Sequence, residues 1–178
     1  MRKMYLSAPL PFVGQKRMLA KEFMKVLEQY PDGTLFVDLF GGSGLLSHIT
    51  KSLKPHSTVI YNDFDNYRFR MKHIPQTNQL LADIREMVGN SVPRHKIIKG
   101  ELRERILSRI EQEENTTGYV DFITLSSSIL FSMKYKLSVQ DMRKEALYNN
   151  IRKTGYPECT DYLEGLEIVS CDYKEVFN

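Results

Sequence analysis

The residues predict an α/β fold, a partial parallel sheet flanked by helices and interrupted by a mostly helical insertion. Three stretches carry that expectation. Thr34–Asp63 alternates strand-like and helix-like apolar patterns across a glycine loop, residues 76–155 hold only helical periodicity, and residues 156–178 return to a strand ending in an acid.

The first stretch holds the chemistry. Leu35-Phe36-Val37 is a short apolar run closed by Asp38, and the small-residue loop Gly41-Gly42-Ser43-Gly44 follows. Leu45, Leu46, Ile49 and Leu53 then recur at helical spacing and Lys54-Pro55 stops the helix. Thr58-Val59-Ile60-Tyr61 reads as a second strand running into Asn62-Asp63. Strand, glycine loop, helix, strand and acid describe one βαβ unit with a nucleotide site at the carboxyl ends of its strands. Residues without bulky side chains let a ligand reach the backbone at such a turn, and the N–H groups opening the helix favour a negative group. Asp63 follows the last loop glycine by about twenty residues, the separation at which a carboxylate grips ribose hydroxyls. A tight turn without a ligand uses the same glycines; the order of loop and acid together favours the nucleotide site.

A length of 178 residues suits one domain with an inserted subdomain. Apolar residues at 42% and charged residues at 26% belong to an ordinary globular chain. A net charge of +3 and a pI of about 8.8 permit a nucleic-acid partner without requiring one. Cys159 and Cys171 form no CxxC, and His48, His56, His73 and His95 show no ligand spacing. Neither a metal site nor a disulfide framework is expected, and a reducing cytoplasm is the natural setting. No apolar run approaches a membrane span, and the start, MRKMYLSAPLPF, lacks the apolar core of a signal peptide.

Ahead of the glycine loop, Ala8–Arg17 carries two prolines and a glycine, an extended and shaped loop. A helix from about Met18 to Tyr30 follows and stops at Pro31-Asp32-Gly33. Lys16 and Arg17 stand at its start, against the dipole's preference for acids. Solvated charge is one reading; a lysine reaching toward a carboxylate is the other. Past the second strand, Phe64–Ile74 alternates aromatics with Arg68, Arg70 and Lys72, and reads as a helix that ends at Pro75.

Within 76–155, Leu80–Val88 and a run from Ile97 to Ile110 are apolar at helical intervals, and Asp121 stands where it caps a further helix. Between Lys134 and Lys153, six basic residues (Lys134, Lys136, Arg143, Lys144, Arg152 and Lys153) meet only Asp141 and Glu145. Interleaved with Tyr135, Tyr148, Asn149 and Asn150, they suit phosphate contacts and base-edge hydrogen bonds. A solvated basic face accounts for them equally well. Leu166–Ser170 reads as a third strand closed by Cys171-Asp172-Tyr173. Its acid is able to accept from an adenine amino group while the ring stacks on the base.

Taken together, these elements resemble the adenine-specific DNA methyltransferases of the Dam group. Pro11-Phe12-Val13-Gly14-Gln15-Lys16 is similar to that family's P-F-x-x-x-G-x-K loop, and Asp38-Leu39-Phe40-Gly41-Gly42-Ser43-Gly44-Leu45 resembles (D/E)-x-F-x-G-x-G-S, with Leu45 in place of a small residue. A strand ending in N-D (Tyr61-Asn62-Asp63), a helical insertion and a D-(F/Y) pair (Asp172-Tyr173) follow in the family's order, over essentially the whole chain.

The resemblance implies a Rossmann-like, S-adenosylmethionine-dependent methyltransferase fold. Residues 1–75 and 156–178 would form the cofactor-binding core and 76–155 the target-recognition insertion. It implies that Phe12, Gly14 and Lys16 line the methionine end of S-adenosylmethionine, that Asp38, Phe40 and Gly42 form the pocket floor, that Asp63 binds the ribose, and that Asp172 and Tyr173 hold the adenine. Double-stranded DNA would be the partner, with Lys134, Lys136, Arg143, Lys144 and Arg152 as contact candidates.

The chain departs from the family in two further ways. It has no tryptophan, and no Pro-Pro dipeptide, so the catalytic (D/N)-P-P-(Y/F) sequence has no counterpart. Catalytic residues are therefore unassigned, and the chain is expected to hold cofactor weakly without transferring a methyl group. An inactive DNA-binding remnant, or a methyltransferase acting on RNA or a small molecule, are the competing functions. Without the catalytic strand, the apolar edge Leu35-Phe36-Val37 is expected to pair with a second copy.

Overall fold

The computed structural model describes residues 3–14, 16–132 and 134–176. Its elements run in chain order as a 3₁₀ turn (Lys16–Leu19), α1 (Ala20–Glu28), β1 (Phe36–Asp38), α2 (Leu45–Leu53), β2 (Val59–Asn62) and α3 (Tyr67–Lys72). Then follow α4 (Ile74–Val88), β3 (Ile97–Ile98), α5 (Gly100–Thr117), α6 (Phe122–Ile129), α7 (Val139–Met142), β4 (Leu147–Tyr148) and β5 (Glu167–Val169). They fall into two compact units, Met1–Lys72 with Glu158–Asn178, and His73–Pro157.

The first unit is mixed α/β around a parallel three-stranded sheet in the order β1-β2-β5. β2 lies in the middle, which is why its inward residues Val59 and Tyr61 are buried. Register matters more than strand length here. Asp38 pairs with Tyr61, and Asn62 with Val169, so the loops after all three strands leave the sheet at one end. Apolar spacing on the two flanking helices is explained by their packing: Ala20 and Leu27 of α1 meet Leu45 and Ile49 of α2, with Phe23, Met24 and Phe36 against them.

Two anchors position the N-terminal loop within this unit. The Tyr67 hydroxyl accepts from the Leu10 backbone N–H at 2.9 Å, and Arg70 donates to the Pro11 carbonyl at 2.8 Å. Further back, Nε2 of the fully buried His48 accepts from the Tyr5 N–H (2.9 Å), which leaves Nδ1–H to donate to the Tyr162 carbonyl at 2.7 Å. This histidine is thus a neutral structural knot, in keeping with the absence of ligand spacing around it.

The second unit is mostly helical. Its core comprises Leu80, Leu81, Ile84 and Val88 of α4, Ile106, Leu107 and Ile110 of α5, and Leu125 and Ile129 of α6. Arg109 of α5 bridges to Asp83 of α4 at 2.8 Å. Asp121 caps α6 by accepting from the Thr124 N–H at 3.0 Å, as its sequence position predicts. Two boundaries differ from the sequence reading. Pro75 lies in the first turn of α4 instead of closing the preceding helix, because the N–H groups of that turn have no partner within the helix. Ile97-Ile98 is not the start of α5 but a short strand, paired antiparallel with Leu147-Tyr148. Among the described residues, no helix is long and apolar enough to cross a membrane.

Candidate functional site

A cavity of about 370 Å³ opens where the carboxyl ends of β1, β2 and β5 meet the N-terminal loop. Phe12, Gly14 and Lys16 line it from that loop, Leu39 to Ser43 from the glycine loop, Asn62, Phe64 and Asp65 from the end of β2, and Asp172 and Tyr173 from beyond β5. Gln15 of the loop lies outside the described residues. Of the residues singled out in the sequence, Phe12, Gly14, Lys16, Phe40, Gly42, Asp172 and Tyr173 come together here. Asp38 and Asp63 do not line it.

The glycine loop is shaped by what lies beneath it. The Tyr61 ring sits so close that a Cβ on Gly41 would fall 2.2 Å from its Cε2. The Tyr61 hydroxyl lies 2.7 Å from the Gly42 carbonyl and 3.0 Å from Asp63 Oδ1, so one proton serves two acceptors. Burial, reinforced by the neighbouring Asp63 carboxylate, pushes this phenol far above its ordinary value and keeps it a donor. Gly42 and Gly44 have φ of 52° and 69°, the left-handed region that side chains resist.

The two acids outside the cavity are engaged elsewhere. Asp38 Oδ2 accepts from the Ser47 hydroxyl at 2.7 Å, tying the end of β1 to the first turns of α2. Asp63 is buried, and its two oxygens accept from the Tyr67 and Arg68 N–H groups at 2.6 and 2.9 Å, capping α3. Burial raises the Asp63 carboxyl above the usual carboxylate range, and these hydrogen bonds offset the shift only in part. The acid facing the cavity from the end of β2 is the exposed Asp65.

Sequence reasoning also missed Asn62. Its amide donates to the Leu39 carbonyl at 3.1 Å and the Cys171 carbonyl at 2.9 Å, and its Oδ1 accepts from the Cys171 N–H at 3.2 Å. One side chain therefore joins the ends of all three strands. The only signal was its place beside an acid at a strand end.

Chemically, the cavity presents flat apolar surfaces and both signs of charge. Phe40, Phe64 and Tyr173 are 66%, 65% and 44% exposed, unusual for aromatics beside a core, and Phe40 and Tyr173 lie 5.2 Å apart, tilted by 41°. The Lys16 ammonium donates to the Phe40 carbonyl at 2.6 Å. A ligand with an aromatic ring and both cationic and anionic groups suits this lining.

In the second unit, four of the five DNA-contact candidates are paired with acids. Lys134 and Lys136 meet Glu145 at 2.6 and 3.0 Å, Arg143 meets Glu104 and Glu111 at 3.1 and 3.0 Å, and Lys144 meets Asp141 at 2.7 Å. Arg152 instead lies over the Tyr156 ring at 4.5 Å. Asn149 and Asn150 each donate one amide N–H, to the Val92 and Leu130 carbonyls (2.7 and 3.1 Å), and so help to hold the fold. No group of histidines, cysteines and acids suited to a metal occurs among the described residues.

A parallel α/β sheet with a glycine loop and a cavity at its strand ends is consistent with a methyltransferase fold. More particularly, the family model for D12 class N6 adenine-specific DNA methyltransferases matches residues 12–156, and the chain belongs to that family. It is also 40% identical over 173 residues to a curated Haemophilus influenzae protein named "Putative methyltransferase", covering 95% of this chain. The chain spans 57% of that relative's length.

Proposed function

We propose that this chain supplies the cofactor and DNA-recognition parts of a site-specific DNA adenine methyltransferase, on a Rossmann-like, S-adenosylmethionine-dependent fold with residues 76–155 as its recognition subdomain. The observation that carries this reading is the cavity itself. Seven residues expected at the cofactor from the family's motifs converge on one space of about 370 Å³, and its lining fits a ligand with amino-acid, ribose and adenine parts.

S-adenosylmethionine supplies, when bound, an electrophilic methyl group on a positively charged sulfur. The residues of the chain bind and orient it. Phe12, Gly14 and Lys16 hold the amino-acid end, the Lys16 ammonium offering a donor to its carboxylate. Phe40, Phe64 and Tyr173 flank the adenine, and Asp172 accepts from its amino group. Asp38 and Asp63 act from behind the cavity, through Ser47 and α3, while Asp65 reaches the ribose. DNA contact falls to the cations of the insertion, where Arg152 is the one of the five sequence candidates without an acidic partner among the described residues. The target adenine must leave the duplex stack for its amine to react. No Pro-Pro platform for that amine occurs in these residues, so we assign the transfer step to none of them.

The free edge of β1 belongs to the same proposal. Among the described residues β1 pairs on one side only, Leu35 beside it is 59% exposed, and two copies joined there would cover the β1 edge of each.

Calorimetric titration with S-adenosylmethionine tests the reading. Saturable binding that Asp172→Ala and Phe40→Ala each weaken about tenfold or more is expected. Absence of binding would remove the cofactor reading and leave a DNA-binding remnant. Methyl transfer to DNA by these residues alone would show that the transfer step lies within them.

A further inference from the structure

Most cations of the second unit fall into two groups, with the exposed Lys99 and Arg105 in neither. Arg103, Arg109, Lys134, Lys136, Arg143 and Lys144 are all ion-paired with acids. Arg85, Arg94, Lys96, Arg152 and Lys153 have no acid within ion-pair distance among the described residues, and all but Arg85 are exposed. The second group is gathered in space by its own hydrogen bonds. Arg85 of α4 donates to the Arg152 carbonyl at 2.9 Å, and Arg94 donates to the neighbouring Ile151 carbonyl at 3.4 Å.

The backbone around this group is held firmly. The His95 N–H donates to the Asn149 carbonyl and the Asn149 N–H to the Lys96 carbonyl, at 2.8 and 2.9 Å, extending the β3–β4 pairing. His95 itself takes a φ of 63°, costly for a residue with a side chain, and its Nδ1 lies 2.9 Å from Asn150 Oδ1. Each guanidinium has five donors, and Arg85 and Arg94 each spend one on the fold. The remaining donors have no acceptor among the described residues. Clustered, exposed charge of one sign raises the local potential and favours an anionic partner, and the acids that pair with cations elsewhere in the unit do not reach these.

We propose that the Arg85–Arg94–Lys96–Arg152–Lys153 face grips the phosphate backbone of duplex DNA, and that the paired cations from Lys134 to Lys144 do not. This rests on the DNA-methylation reading and deepens it by naming the face. Phosphate contacts of this kind contribute affinity and position without reading bases.

The test is the salt dependence of binding to a duplex of arbitrary sequence, followed by fluorescence anisotropy between about 50 and 200 mM salt. For Arg94→Gln with Arg152→Gln, the slope of log K against log salt should fall by about two, since each phosphate left without its cation removes roughly 0.9. Lys96→Gln with Lys153→Gln, two exposed side chains, should do the same without disturbing the fold. Lys134→Gln with Lys144→Gln should leave the slope unchanged. An unchanged slope in both of the first two variants, or a decrease confined to the third, would overturn the assignment while leaving the DNA reading intact. A wild-type protein with no salt-dependent duplex binding would overturn both, and cofactor titration of the same preparation would still report on the first unit alone.

Discussion

The side-chain amide of Asn62 forms a reciprocal pair of hydrogen bonds with the Cys171 backbone, donating to its carbonyl at 2.9 Å and accepting from its N–H at 3.2 Å. The pair adds a rung to the sheet beyond the point where β2 and β5 stop pairing, and a third bond to Leu39 extends it to the glycine loop. Asn62→Ala should cost about 2–3 kcal/mol in urea unfolding, since buried backbone groups are left unsatisfied, and should weaken cofactor binding in parallel. Asn62→Asp should be at least as damaging, because a carboxylate would then face two carbonyls. A neutral outcome for both would remove Asn62 from the site's scaffold.

Gly41 carries a different constraint, one of space rather than of backbone angle. Gly41→Ala puts a methyl into the Tyr61 ring, so it should destabilise by about 1–3 kcal/mol and displace the loop that lines the cavity. Combining it with Tyr61→Val, which vacates the clash, should cost less than the sum of the single changes in a double-mutant cycle. Simple additivity would mean that the two residues are not in contact.

Asp63 and Asp65 should separate under calorimetry and unfolding measured together. Asp65→Asn should weaken S-adenosylmethionine binding with stability unchanged, whereas Asp63→Asn should lower both, because an amide cannot accept from both the Tyr67 and Arg68 N–H groups. pH adds a signature that belongs to Asp63. Its folded pKa lies above the unfolded value of about 3.9, so its contribution to stability is full below that value and is lost as pH rises through the folded pKa. Asp63→Asn should therefore flatten that limb of the pH–stability profile. A carboxyl titration midpoint at or below the ordinary aspartate value, read by NMR, would contradict it.

Pairing through β1 is expected to be concentration-dependent. Sedimentation should show dimers that Val37→Pro, which removes one edge N–H, disperses. A monomer at high concentration would count against the edge as an interface.

Much of this protein was legible along the chain because much of it is decided by near neighbours. The apolar run before Asp38, the glycine loop, the helical spacing from Leu45 to Leu53 and the Asp121 cap each depend on residues a few positions apart, and each appears in the structure where the sequence puts it. The order of strand-end motifs likewise predicted which loops meet, since parallel strands carry their carboxyl ends to the same side.

Orientation and partnership were decided only by tertiary structure. Asp63 and Asp65 are indistinguishable as letters; the folded chain turns one inward to cap α3 and leaves the other at the cavity. Lys134 and Arg152 look equally free in sequence, yet Glu145 folds back onto the first, and nothing acidic reaches the second among the described residues. Sequence alone settled the order of strand, glycine loop, helix and strand in the first unit, but not the β3–β4 pairing of the second, which joins residues about fifty positions apart. Which side chains stay available for a ligand depended on contacts between residues distant in the chain, because a charge or a hydrogen-bonding group is free only if nothing brought to it by folding has claimed it.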